Sequence, residues 1–397
     1  MTDAFAFFRR FSRSLGQGID GLAAAQPRTW FVFVVLVAVM LSLFSRFPVY
    51  ADRHAKFPGS FLKFPGTPYG QAITWWLDHP FQQVPVETFF PNAAAAQGIL
   101  AGSISHCDKL SVRPFLPLLN QLAGGGYWTL VGASHLSAIL LFALIYFLCR
   151  RITGDTTFAT LITWGFATTW AGAWGFNDRV CGDVVAIALL LSAVAARPPW
   201  LAALLVYLAG FTDERAIAAA PLAALLRHWI AGLPGDTKAG PAKLTATVLP
   251  LLAAMGAYLA SRVVLHFWGN VQGGTTMMVP TEVLLYHFYV SYPKNLFTVF
   301  EFLWLFPLVF VGHLIFARDP RITGGVPYLI ALALAAGPAF VVWDIDRSLC
   351  YLLPGLLTAI CFFPAERDLR RGCALAAALA SLAWMEPNTS ILRFLFL

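Results

Sequence analysis

Two apolar runs, Trp200–Gly210 (WLAALLVYLAG) and Ala216–Leu226 (AIAAAPLAALL), flank the stretch Phe211-Thr212-Asp213-Glu214-Arg215. Neither run carries a charge, so both read as helices whose natural solvent is lipid. The five residues between them leave room for a tight helical hairpin and little else. Three consecutive ionisable groups therefore sit at the lip of a membrane-embedded helix pair. Charges there are costly unless they are paired or face a wet cavity, and they point to function. The competing reading is an ordinary hairpin turn in water.

Composition agrees with the hairpin. The chain has 397 residues, 58% hydrophobic and only 12% charged, with mean hydropathy +0.69. Soluble domains carry about 25% charged residues. The expected fold class is an all-α polytopic membrane protein. The net charge of +7 does not argue for nucleic acid, because the basic residues cluster at alternate helix ends, as membrane topology requires. Six cysteines show no CxxC and no metal-ligand spacing. At most one disulfide is open to Cys107, Cys181 and Cys350, and none is expected.

Phe5–Leu22 mixes apolar residues with Arg9, Arg10 and Arg13, and residues 1–29 read as an amphipathic cytoplasmic segment. Residues 30–397 read as one transmembrane domain. Trp30–Phe44 is its first helix and an uncleaved anchor. Ser45–Gly126 reads as a long outer loop with interfacial helices, its Trp75, Trp76, Phe81, Phe89 and Phe90 serving as membrane-surface anchors. Ten further apolar runs follow: Tyr127–Leu148, Phe158–Trp174, Val184–Ala196, Trp200–Phe211, Ala216–Trp229, Leu244–Leu265, Leu296–Phe316, Val326–Trp343, Leu349–Phe363 and Ala374–Trp384. The total is eleven spans, with the N-terminus cytoplasmic and the C-terminus outside. Several fall short of the ~20 residues a full crossing needs.

The basic residues Arg150, Arg151, Arg197, Arg227, Lys238, Lys243, Arg318, Arg321, Arg367, Arg370 and Arg371 all fall in alternate loops, which the positive-inside rule makes cytoplasmic. The remaining loops face out and are led by acids: Asp52-Arg53-His54, Asn177-Asp178-Arg179 with Asp183, Asp213-Glu214-Arg215, Glu282 with His287, and Asp344-Ile345-Asp346-Arg347. Turns from distant parts of the chain thus share one face, as a common polar site would require. The plainer alternative is that each acid pairs with its neighbouring base. Asp183 and Asp213 also read as helix N-caps, Asp52 as a loop residue paired with Arg53 or Lys56, and Asp344 and Asp346 as partners of Arg347. His287 sits among Tyr286, Phe288, Tyr289 and Tyr292, an interfacial aromatic belt. His54, His79 and His106 lack zinc spacing.

Carboxylates can take a proton from an acceptor hydroxyl, and arginine forks hold phosphate bidentately. Together they suit glycosyl transfer from a lipid-linked phosphate that reaches the site from the bilayer. The segment Val49-Tyr50-Ala51-Asp52-Arg53-His54 at the mouth of the first outer loop, with the aromatic segments after it, the short helices and the outward polar turns, resembles the GT-C superfamily of integral membrane glycosyltransferases. The likeness covers the whole chain as architecture. The DxD- or DE-like pair of that family is missing, since Arg53 follows Asp52, and the one outer DxD, Asp344-Ile345-Asp346, lies late in the chain. The resemblance implies an inverting, single-displacement transfer outside the cytoplasm, in a bacterial inner membrane with a periplasmic active face. Its donor would be a polyprenyl-phosphate sugar and its acceptor a hydroxyl of a glycan, lipid or protein; no nucleic acid enters. Asp52, Asp178 and Asp213 are the catalytic candidates. Arg347, Arg215, Arg179, Asp344, Asp346, Glu214, Asp183 and His54 are the substrate-binding ones. The resemblance also allows a divalent cation, magnesium or manganese, on the outer carboxylates. A glycan polymerase or ligase, and a transporter or flippase of a lipid-linked or anionic substrate, are the alternatives. Gly124-Gly125-Gly126 and Gly273-Gly274 lack the setting of a nucleotide loop, and there is no Walker motif.

Overall fold

Uninterrupted Leu, Ala, Val and Phe runs satisfy every backbone group within the helix, the arrangement that lipid demands. The computed structural model describes residues 2–56, 66–91, 107, 110–176, 182–233, 244–268, 292–316, 325–341, 345–363 and 366–384, as backbone only at 2–9, 46–56, 244, 292–294 and 341. Among the described residues all regular structure is helical. In chain order the helices are α1 (Thr2–Ala25), α2 (Pro27–Lys56), α3 (Pro68–Asp78), α4 (Val86–Phe89), α5 (Phe115–Ala123), α6 (Tyr127–Thr153), α7 (Thr156–Thr168), α8 (Trp170–Trp174), α9 (Asp183–Ala195), α10 (Pro199–Thr212) and α11 (Arg215–Ala231). They continue as α12 (Leu244–Thr247), α13 (Leu249–Phe267), α14 (Tyr292–Phe300), α15 (Leu305–Phe316), α16 (Gly325–Val341), α17 (Ile345–Leu349), α18 (Leu353–Cys361) and α19 (Arg367–Trp384). Among the described residues, four segments are long and apolar enough to cross a membrane: Pro27–Ser45, Tyr127–Thr153, Leu249–Phe267 and Asn295–Phe316. Asp183–Ala195, Pro199–Thr212 and Gly325–Phe340 are apolar but shorter. These are the features of a membrane protein.

The exposed surface agrees. Val32, Phe33, Leu36, Met40, Leu43 and Phe44 form an exposed apolar ridge along α2, a face that suits lipid tails and not water. By contrast, α9 is buried almost all round, with Leu190, Leu191 and Ala193 fully inside. It packs against α6, α10 and α11, and α6 also touches α2, α7 and α18. Small residues let helices approach closely: a Cβ on Gly165 of α7 would come within 3.1 Å of Ala378 on α19.

Several expected boundaries shift. The first helix continues to Lys56, so 45–56 is helix rather than loop. The run Phe158–Trp174 breaks at Thr169, whose hydroxyl caps α8 by accepting from the Gly172 amide at 3.3 Å. The run Leu296–Phe316 is interrupted by a 3₁₀ turn, Glu301–Trp304, entered through Glu301 at φ 48°. Trp76 is not a surface anchor. Its ring is buried and its Nε1 donates to the Leu110 carbonyl at 2.7 Å, which ties α3 to the chain just before Arg113. Trp75 stacks on His79, and Phe90 is buried as well, while Phe81 is exposed. The segment before α6 therefore uses much of its aromatic surface to hold itself together. Through α5 it rests on α6 and α10.

One end of the bundle is held by a strap of charges. Asp155, in the α6–α7 turn, accepts from the Phe158 amide, from Arg367 Nε at 3.0 Å, and from Arg371 Nε and Nη2 at 2.8 Å each. Arg371 also reaches Asp20 of α1, and Arg13 meets Asp368 at 2.6 Å. The amphipathic N-terminal helix is thereby fastened to α19 and α7. At the foot of α11, Arg227 places Nη1 on the carbonyls of Ala193, at 2.9 Å, and Ala196, filling acceptors that the C-terminus of α9 leaves open. Arg151 lies near enough to act on Arg227 electrostatically, so these basic residues share one end of the molecule.

Burial alone would raise the Asp155 carboxyl. The hydrogen bonds from Arg371 and the Phe158 amide, and the Arg371 charge, hold it below the ordinary value. A depressed folded-state value means stabilisation that is present above the unfolded value, about 3.9 for an aspartate, and lost as pH falls through the folded value. Asp155→Asn is therefore expected to lower the melting temperature in detergent at neutral pH. The gap to the parent should close as pH is taken below about 3.9.

Candidate functional site

The opposite end of α9 and α11 is where the site forms. Asp183 is the first residue of α9, and Asp213 and Glu214 make the turn between α10 and α11. The 13 residues of α9, at ~1.5 Å rise each, separate this end from the Arg227 clamp. The Asp213 carboxylate closes the turn by accepting from the Arg215 amide at 3.0 Å, as an Asx turn does. Neither N-cap reading holds: the N-cap of α11 is Glu214, without a side-chain bond, and Asp213 serves the turn only through the Arg215 amide. Asp183 caps nothing: the N-cap of α9 is Gly182, without a side-chain bond.

Asp183 instead joins three elements. Its Oδ2 receives Arg347 Nε at 2.6 Å and Trp174 Nε1 at 3.3 Å, and its Oδ1 receives Arg347 Nη2 at 3.0 Å and Arg215 Nη2 at 2.5 Å. Arg215 grips Asp213 with Nε at 2.9 Å and Nη2 at 2.6 Å, and its Nη1 meets Ser348 Oγ at 3.3 Å. Arg113, from the chain just before α5, completes the set. It forks onto Glu214 through Nε at 2.9 Å and Nη2 at 2.8 Å, and its Nη1 lies 3.3 Å from Asp213 Oδ2. The result is an alternating chain, Glu214–Arg113–Asp213–Arg215–Asp183–Arg347. Three guanidinia oppose three carboxylates, so these six groups sum to zero. Tyr351 lies 5.3 Å beneath the Arg215 guanidinium and Trp174 lies 5.9 Å from that of Arg347, close enough for cation–π attraction.

Burial grades along the chain of charges. The side chains of Asp183 and Asp213 are 1% and 0% exposed, Arg113 6%, and Glu214 40%. Burial would raise the Asp213 carboxyl, but Arg113 and Arg215 outweigh it and hold it well below the usual carboxylate range. Burial would lower the Arg113 guanidinium, and Asp213 and Glu214 reverse that and raise it. An aspartate that is fully covered, gripped by two arginines and depressed in this way is a poor proton acceptor. That removes the main argument for Asp213 as a base and makes it an anchor.

The described part of the structure thus brings together Asp183, Asp213, Glu214, Arg215 and Arg347. Arg347 turns Nε and Nη2 to Asp183, far off in sequence, a partner that the local reading with Asp344 or Asp346 did not include. Asp346 lies on the first turn of α17, two residues from Ser348. Asp178, Arg179, Asp344, Glu282 and His287 lie outside the described residues. Asp52, Arg53 and His54 belong to α2 as backbone only. Ser42 on the same helix donates to the Gly172 carbonyl of α8 at 3.1 Å, which puts that level of α2 beside Trp174. Asp52, ten residues on, is about 15 Å further along the helix axis at ~1.5 Å per residue. Arg113 was not singled out from the sequence. Its one signal is an arginine set against a proline, Arg113-Pro114, just before an apolar stretch.

Among the described residues, the acid–arginine cluster does not fit the divalent cation that the resemblance allows. Among the described residues no group of three or more His, Cys, Asp or Glu side chains gathers as metal ligands. Asp183, Asp213 and Glu214 already receive guanidinium protons, and a cation would have to enter against three fixed positive charges. The chain matches no protein-family model, no curated protein and no solved structure.

Removing one partner from a buried pair strands the other, at a cost of about 3–5 kcal/mol. Asp183→Ala takes away the buried carboxylate that Arg215 and Arg347 share, and is expected to lose about that much stability. Glu214→Ala, which takes away a half-exposed carboxylate, is expected to cost far less. Thermal unfolding of the two purified variants in one detergent measures the difference.

Proposed function

We propose that the protein is a membrane glycosyltransferase of GT-C type. It transfers a sugar from a polyprenyl-phosphate donor to a hydroxyl acceptor, with about eleven spans, a cytoplasmic N-terminus and the acid–arginine end facing the periplasm. The observation that carries the proposal is the convergence of acids and arginines from four distant segments at one end of an apolar bundle, beneath an interfacial helical segment. A lipid-linked phosphate enters such a site from the bilayer, and arginine is the side chain that stays charged at that depth.

The chemistry has two needs. A base takes the acceptor hydroxyl's proton as its oxygen attacks the anomeric carbon, and a cation steadies the charge left on phosphate as the sugar–phosphate bond breaks. Asp52 is the assigned base by its place in the resemblance, with Asp178 as the alternative; Asp213 and Asp183 are committed to arginines. Those two aspartates hold Arg215 and Arg347 in fixed orientation under the donor phosphate. Transport is the second reading, favoured by the charge-matched closure of the same network, which is what a gate requires.

The test is glycosyl transfer by purified protein from polyprenyl-phosphate sugars. Folded Asp52→Asn is expected to lose turnover by ~10²–10⁴-fold; full activity would end the role of Asp52. Wild type that transfers no sugar from any lipid donor, yet moves one across vesicles, would hand the function to the transporter. For topology, cysteines introduced beside Asp178 and Asp344 are expected to label from outside the cell. Labelling of either only from the cytoplasmic side would break the single-site arrangement.

A further inference from the structure

The three arginines of the ionic chain differ in how firmly their partners are held. Arg215 and Arg347 grip Asp183 and Asp213, whose side chains are 1% and 0% exposed. A competing anion cannot displace those carboxylates without opening the bundle. Arg113 is different. Its guanidinium is buried, 6% exposed, but the carboxylate that fills its fork belongs to Glu214, 40% exposed, in the residue just before α11. A rotation of the Glu214 side chain alone would empty the fork with the backbone in place. Asp213 would stay 3.3 Å from Arg113 Nη1, and the five groups left behind would sum to +1 at the N-terminus of a 17-residue helix, a setting that favours an anion.

We infer that Arg113 is the residue that receives a phosphate oxyanion, and that Glu214 is a displaceable carboxylate occupying its fork until the phosphate arrives. The inference rests on the proposed use of a phosphate-bearing donor and reassigns the direct contact from Arg215 and Arg347 to a residue of the interfacial segment. Two parallel N–H donors at 2.9 and 2.8 Å from carboxylate oxygens match two phosphate oxygens equally well. Because Arg113 lies next to α5, which packs on α6 and α10, phosphate capture would also release the Glu214 tie between the segment and the turn while keeping the one to Asp213.

The variant that decides is Glu214→Gln, because its expected effect has the opposite sign to that of a purely structural pair. With the competing charge gone, polyprenyl monophosphate in lipid nanodiscs is expected to bind about tenfold more tightly, the size of one charge-assisted hydrogen bond. Arg113→Lys, which keeps the charge and loses the fork, is expected to bind about tenfold more weakly. Titration calorimetry reads both, and melting temperature checks that each variant is folded. If Arg113→Lys does not fold, Glu214→Gln still decides. Unchanged or weaker binding by folded Glu214→Gln overturns the inference. Inorganic phosphate is titrated in parallel. Tightening for both probes supports recognition of phosphate itself, and tightening for the lipid probe alone supports recognition of a headgroup at the membrane. If Glu214→Gln tightens binding but wild type transfers no sugar, the site stands and the transferase reading falls. If wild type transfers sugar while both variants keep its donor KM, the site falls alone.

Discussion

The structure depends on burying Asp183 and Asp213 at the end of an apolar bundle. A carboxylate taken out of water costs several kcal/mol even after relaxation, and the cost is recovered only when guanidinia meet it in good geometry and fill its remaining lone pairs. Asp183 receives two arginines and an indole; Asp213 receives two arginines and a backbone amide. Satisfying those oxygens requires α9, the α10–α11 turn, α17 and the chain before α5 to stand at one place. The ionic chain thus fixes relative helix positions, a specificity that lipid-facing apolar surface cannot supply because lipid tails solvate it as well as neighbouring helices do.

The same physics operates in reverse at the other end. There Asp155 and Asp20 are the carboxylates, and Arg367 and Arg371 of α19 close on them from the far end of the chain. Between the ends the helices pack largely by shape, as Gly165 against Ala378 illustrates, with a few interhelical hydrogen bonds such as Trp164 Nε1 to the Val34 carbonyl at 3.1 Å. α13, with exposed Leu259, Val263 and Phe267, lies at the margin of the bundle. Polar networks at both ends with an apolar middle follow from the solvent: an unpaired ion is most costly at mid-bilayer.

Exposure divides the labour within the acid–arginine chain. A group that must act on a substrate has to be reachable, and a group that must orient others has to be fixed. Asp183 and Asp213 meet the second condition, and Glu214 alone among the three acids meets the first. In a sequence all three look alike, as acids at helix ends.

The sequence by itself determined the class of the protein and much of its helical plan. Uncharged runs of Leu, Ala, Val and Phe have one stable state in lipid, and they were legible at Trp30–Phe44, Tyr127–Leu148, Trp200–Gly210 and Ala216–Leu226 without any tertiary information. It also marked Asp183, Asp213, Glu214, Arg215 and Arg347 as polar groups that need an explanation. Only the tertiary structure decided their partners. Pairing depends on which helix ends meet, and that is set by packing across separations of 32 residues for Asp183 and Arg215, 101 for Arg113 and Glu214, and 164 for Asp183 and Arg347. Local pairing of Arg347 with Asp344 or Asp346 was the natural reading of neighbouring letters. The fold also turned that arginine toward Asp183. Trp76 and Arg113 were illegible for the same reason: a tryptophan in a loop looks like a membrane anchor, and a lone arginine looks like surface, until a folded segment covers the one and aims the other at a buried carboxylate.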